Sequence, residues 1–208
     1  MVHSPGKSKP NQPMQSRMPR SSAVAAAAPP APWDEHFMSA ALQLADNAAA
    51  HGDIPVGAVV VQHKPHLPKT AGGRPADAMP VIISEGENRR QRDADPTAHA
   101  EILALKAAGE KLGRWQLADC DLYVTLEPCP MCAGALVNAR IGRVIFACTD
   151  PKAGAVETLF KLTSDPRLNH RVQWTGGICA AQAAAALKQF FAPRRRKKTR
   201  GIAHLKGV

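Results

Sequence analysis

His99, Glu101, Cys129 and Cys132 stand in the pattern His-x-Glu … Pro-Cys-x-x-Cys, and each residue type answers one need of a hydrolytic zinc site. A catalytic zinc takes three protein ligands and keeps its fourth position for water. One histidine and two cysteines meet that count. Cysteines three apart at the start of a helix fall one turn apart on one face, so both sulfurs reach a single metal. The helix N-terminus favours negative charge and hence both thiolates. Glu101, two residues beyond His99, falls beside the metal without binding it. There a carboxylate can take a proton from activated water and pass it to a leaving amine. A lone Cys-x-x-Cys would suit a structural zinc or a redox pair, but a structural zinc closes its shell with four Cys or His ligands. This pattern offers three and an acid. Cys120, Cys148 and Cys179 lack ligand spacing and are read as small buried hydrophobes.

The elements that must position these residues alternate between strand and helix. Trp33–Ala50 has helical spacing with Phe37, Ala41, Leu42 and Leu44 inward. Ile54–Val61 reads as a buried strand and Val81–Ser84 as its hairpin partner. Between them, residues 63–79 form a Pro/Gly-rich insertion without apolar periodicity, read as a surface loop, with His63 and His66 as loop residues rather than ligands. A helix is predicted over Pro96–Gly109, capped by Asp95, with Ile102, Leu103 and Leu105 facing inward. Then follow a strand (Asp121–Leu126), a helix (Cys129–Asn138), a strand (Arg143–Ala147), a loop (Asp150–Ala155), a short strand (Arg171–Trp174) and a closing helix (Ile178–Phe191). Such alternation predicts an α/β domain.

The chain has 208 residues and a net charge of +10, consistent with one domain and tails. The charge is not spread evenly. Residues 1–32 hold four Lys or Arg and no acid, and residues 193–208 hold seven and no acid, which leaves residues 33–192 at −1. Residues 1–32, rich in Pro, Ala and Ser, are read as a disordered N-terminal tail. They share the acid-free composition of an organellar transit peptide, but Pro5, Pro10, Pro13 and Pro19 would break its amphipathic helix. Residues 193–208 form a basic C-terminal tail, either a phosphate-backbone contact or a solvated end. No apolar run is long enough to span a membrane. Five cysteines, an odd number, and the lack of a cleavable signal peptide point to a reducing, cytoplasmic compartment.

Several segments together resemble the bacterial tRNA-specific adenosine deaminases of the zinc deaminase superfamily. They are Ile54–Val59, Glu87-Asn88-Arg89, Asp95–Glu101, Tyr123–Cys132 (YVTLEPCPMC), Ala139–Val144, Asp150-Pro151-Lys152 and Asn169–Val172. The resemblance implies a cytidine-deaminase-like three-layer αβα sandwich with a five-stranded mixed sheet over residues 33–192. It implies one zinc per subunit on His99, Cys129 and Cys132, with Glu101 as proton shuttle for a zinc-activated hydroxide that attacks C6 of adenine. The implied substrate is the wobble adenosine of an arginine tRNA anticodon (ACG), deaminated to inosine. By the same match Asn88 hydrogen-bonds the base, Val56 and the His99–Ala100 backbone line the pocket, and Asp150 and Lys152 meet the neighbouring nucleotides. Asn88 as a turn cap and Asp150 as a turn residue are the plainer readings, and His170 is read as structural. The implied assembly is a homodimer, with each site bordered by the second subunit. The long N-terminus and the 63–79 insertion depart from the family pattern.

Two other functions fit parts of this pattern. A small-molecule deaminase of the same fold, acting on guanine, cytosine or a nucleoside, would carry the same zinc motif. The Asp150 loop, the Arg140–Arg143 segment and the basic C-terminus favour tRNA. A zinc-stabilised RNA-binding module without chemistry would have no use for Glu101.

Overall fold

The computed structural model describes residues 27–63 and 79–205, with side chains up to Pro193. Helix α1 (Asp34–Ala50) precedes strands β1 (Gly57–Gln62) and β2 (Val81–Glu87). Helix α2 (Ala100–Leu112), strand β3 (Cys120–Leu126), helix α3 (Pro130–Asn138), strand β4 (Arg143–Cys148), strand β5 (Gln173–Gly176) and helix α4 (Ala180–Leu205) follow. The sheet order is β2-β1-β3-β4-β5. β1 is antiparallel to β2 and β3, whereas β3, β4 and β5 run parallel. The expected five-stranded mixed sheet is therefore present.

The three layers follow from the two-residue period of a strand, which sends alternate side chains to opposite faces. Ala58, Val60, Leu122, Val124, Val144 and Phe146 pack with Ala100, Ala104 and Leu105 of α2 and with Leu136 and Val137 of α3. Their neighbours Val59, Val61, Tyr123, Ile145 and Ala147 pack on the other face with Phe37, Met38 and Ala41 of α1 and Ala183 of α4. Burial on both faces explains why these strands read as unbroken apolar runs.

Two helix faces differ from the sequence expectation. α1 buries Phe37, Met38, Ala41, Ala45 and Ala48, with Leu42 and Leu44 only partly covered. α2 buries Ala100, Ala104, Leu105 and Ala108, while Ile102 and Leu103 are half-buried. The reason in α2 is close approach. A side chain on Gly86 of β2 would fall on the Ala100 carbonyl oxygen, so the helix meets the sheet through an alanine stripe. α2 also starts later than Pro96. Asp95 Oδ1 accepts from the Thr97 N–H and hydroxyl, each at 2.7 Å. This local turn keeps the chain out of the helix until His99, whose extended φ/ψ of −78°/149° makes it the N-cap.

Ala27 bridges to Trp174, and the Ala28 N–H donates to the Trp174 carbonyl at 2.7 Å, so residues ahead of Trp33 pair with β5. Residues 1–26 and 64–78, including His66, lie outside the described residues. His63 does not behave as a loop residue. It is buried at the end of β1, with Nε2 3.0 Å from Asp121 Oδ2. Nor does the helix stop at Phe191, since the α4 backbone continues through Pro193 to Leu205.

Arg143 is the clearest correction, because the sequence places it in a segment expected to favour tRNA. The guanidinium is 1% exposed and grips Asp34 at 2.6 and 3.1 Å and the Thr175 hydroxyl at 2.7 Å. Tyr123 donates to the same Asp34 at 2.7 Å. This cluster ties α1 to β3, β4 and β5. Removing one partner of a buried pair strands the other charge. Arg143→Met is therefore expected to cost about 3–5 kcal/mol, read as a lower urea midpoint. Replacing Asp34 by Leu in the same chain should recover part of that loss. Unchanged stability in Arg143→Met would show that the pair contributes nothing.

Candidate active site

The sheet topology brings two helix starts together at one end. His99 caps α2 and Cys129 caps α3, with Pro130 at the first helical position and Cys132 in the first turn. His99 Nδ1 lies 3.5 Å from Cys132 Sγ and 3.8 Å from Cys129 Sγ. The three ligand atoms all fall within 4.8 Å of one another. A tetrahedral zinc with Zn–S near 2.3 Å and Zn–N near 2.0–2.1 Å requires N···S separations of about 3.5 Å. The residues fit zinc in type and in spacing. The remaining cysteines are free; Cys120 is buried, and Cys148 and Cys179 are half-buried.

The electrostatics suit the same use. A hydrogen bond from Cys132 outweighs the burial of Cys129 and, with His99, draws its pKa down to about 3, which favours the thiolate. Cys132 is pushed up, first as the donor in that hydrogen bond and then by burial. Glu101, 4% exposed, is raised chiefly by burial, which disfavours the charged form. A carboxyl group so placed can hold a proton and return it.

A cavity of about 180 Å³ opens onto these groups. Its walls include Val56, Asn88, Ala100 and Asp150 together with His99, Glu101 and Cys129. Asn88 is 5% exposed and uses its side-chain N–H on the Ile54 carbonyl at 3.2 Å, as a turn cap would. Its Oδ1, however, is buried with no partner among the described residues, so the plainer reading accounts for half of the side chain. Asp150 Oδ1 accepts from the Lys152 N–H at 2.9 Å, a turn like the one predicted. The Lys152 side chain is exposed and does not join the cavity wall. His170 Nε2 pairs with the Ile141 carbonyl oxygen at 2.7 Å, a structural role.

Residues 31–148 match the cytidine and deoxycytidylate deaminase zinc-binding region. A tRNA-specific adenosine deaminase of Haemophilus influenzae is 41% identical over 176 residues, covering 85% of this chain and 93% of the relative. The chain belongs to the tRNA-specific adenosine deaminase family. Another family member, from Bacillus subtilis, is 37% identical over 79% of this chain and 92% of its own length. A solved chain from work on A-to-I editing by tRNA:A34 deaminases at the wobble position of transfer RNA superposes with a TM-score of 0.62. It is 39% identical and covers 73% of this chain and 99% of that one. The protein is thus a zinc-dependent deaminase with the cytidine-deaminase-like fold. Among the described residues, no helix is long and apolar enough to cross a membrane.

Glu127, Ile54, Arg90, Leu126 and Ala153 also line the cavity, and the motif reading singled out none of them. Only Glu127 carried a signal, an acid two residues before Cys129. It is 2% exposed, and burial opposes its charge. Hydrogen bonds from Thr158, Glu157 and Asp150 more than offset that and hold its pKa below the usual carboxylate value.

Proposed function

We propose that this chain converts the wobble adenosine of a tRNA anticodon to inosine, with arginine tRNA bearing ACG as its substrate. The observation that carries this reading is the narrow cavity, which is lined by Glu101, His99 and Cys129 and by Asn88, whose Oδ1 has no partner among the described residues. A base stacked in a duplex cannot enter such a cavity. A base swung out of a single-stranded loop can, at a cost of a few kcal/mol.

In this reading His99, Cys129 and Cys132 hold the zinc. Bound there, zinc supplies the Lewis acidity that makes water a nucleophile at neutral pH. Glu101 takes the proton of the attacking water, delivers it to the ring nitrogen and then helps the amine leave as ammonia. Asn88 Oδ1 accepts a hydrogen bond from the base, while Val56 and Ala100 shape the walls around it. Asp150 and Lys152 meet the nucleotides beside the target, and the basic run from Arg194 to Lys206 contacts phosphates. The working unit is a cytoplasmic homodimer, in keeping with the family resemblance.

The test is to incubate zinc-loaded protein with transcribed arginine tRNA (ACG) and assay inosine at the wobble position, with free adenosine, guanine and cytidine in parallel. Inosine on the tRNA alone is the expected result. Ammonia from a free base or nucleoside, without inosine in the tRNA, would overturn the substrate.

A further inference from the structure

The segment after β4 leaves the sheet as a run of turns. Backbone N–H groups withdrawn from water need acceptors, and here one side chain serves four of them. Glu127 Oε1 accepts from the N–H groups of Val156, Glu157 and Thr158 at 3.1, 2.8 and 2.9 Å. Its Oε2 accepts from the Asp150 N–H at 3.1 Å and from the Thr158 hydroxyl. A side chain on Gly154 would fall on that carboxylate, so the loop closes around it only because residue 154 is glycine. The Ala155 N–H donates to the Pro128 carbonyl at 2.8 Å. The loop is thereby anchored on the segment that leads into Cys129. Two of the loop's residues, Asp150 and Ala153, form cavity wall together with Glu127 itself.

We propose that Glu127 is a positioning residue: its buried carboxylate holds residues 150–158 as one wall of the cavity and so sets how tightly the RNA around the target base is gripped. This rests on the polynucleotide substrate proposed above. The two oxygens are not equivalent in this role. A glutamine at 127 can keep its carbonyl oxygen on the three N–H groups of residues 156–158. Its amide nitrogen would then face the Asp150 N–H, donor against donor, while the Thr158 hydroxyl can turn and accept. Glu127→Gln thus releases the Asp150 end of the loop and spares the far end.

The experiment uses the full-length zinc-loaded protein and three variants. Glu127→Gln is expected to lower kcat/KM on the arginine tRNA about 10–100-fold, the scale of a lost charge-assisted hydrogen bond. The loss should lie mainly in KM, with one zinc per chain retained. Amide exchange should rise at Asp150 and nearby residues and stay low at 156–158. Thr158→Val removes one donor to Oε2 without touching the metal segment. It should raise KM about fivefold, and Thr158→Ser should restore it. Wild-type KM and unchanged exchange at Asp150 in Glu127→Gln and Thr158→Val would overturn the proposal. Zinc loss at unchanged KM would do the same, placing the effect at Cys129. Should Glu127→Gln fail to fold, the Thr158 pair decides. A wild-type protein that leaves tRNA unedited refutes the substrate reading instead, while the exchange data still decide whether Glu127 holds the loop.

Discussion

Glu101→Gln is expected to keep one zinc per chain and to lose deamination by about 10³-fold or more. The argument combines position with chemistry. Glu101 is the second residue of α2, 4% exposed, on the wall of the cavity that His99 and Cys129 also line. The histidine and two cysteines match the three-ligand set of a catalytic zinc, which would leave the carboxylate for proton transfer. Glutamine keeps the shape and hydrogen-bonding reach of the side chain but cannot accept the proton. Proton carriers of this kind contribute about 10²–10⁴-fold to rate. In the proposed mechanism the attack and the departure of the amine both use this one group, which puts the expected loss at the upper end. Single-turnover rates on the arginine tRNA, with elemental analysis of the same samples, check the prediction. A zinc-free variant would make Glu101 a ligand, and a near-normal rate would remove it from the chemistry.

What could be read from the sequence was whatever local spacing decides. His99 and Glu101 are two apart and the cysteines three apart, so one helix start each determines their relative placement. The central strands β1, β3 and β4 were visible because burial on both faces leaves little polar alternation to hide them. Residues whose partners lie far along the chain were misread or missed. Arg143 looks like a surface cation beside Arg140, yet its carboxylate partner Asp34 is 109 positions away. Arg140 itself lies with its guanidinium 5.9 Å from the Trp115 ring centre, away from the zinc end of α2. Glu127 looks like an ordinary acid in a motif, and its five donors become visible only once residues 150–158 fold over it. Asp95 is the opposite case. Its type suits a helix cap, but Thr97 competes for the same oxygen, and composition does not say which donor wins.

Cys129→Ser is expected to lose both zinc and activity, the second large effect. Serine preserves the N-cap of α3, since its extended φ/ψ of −71°/173° suits a hydroxyl residue well. The helix should therefore start where it does now, and the change isolates the ligand. A hydroxyl is far less acidic than a thiol whose pKa is drawn down to about 3 by Cys132 and His99, so the variant offers zinc a neutral oxygen instead of a thiolate. Zinc content should fall well below one per chain at equal protein concentration. Circular dichroism should stay near wild type, because the sheet core draws on residues other than this one. Cys132 adds a pH dependence with a definite sign. Its thiol is pushed up, so it must give up a proton to bind metal, and zinc affinity of protein stripped by a chelator should weaken as pH falls. Calorimetry of zinc uptake in buffers of different ionisation enthalpy would count the released protons. Full zinc with normal turnover in Cys129→Ser would exclude the residue as a ligand and leave the cluster one short of the catalytic set.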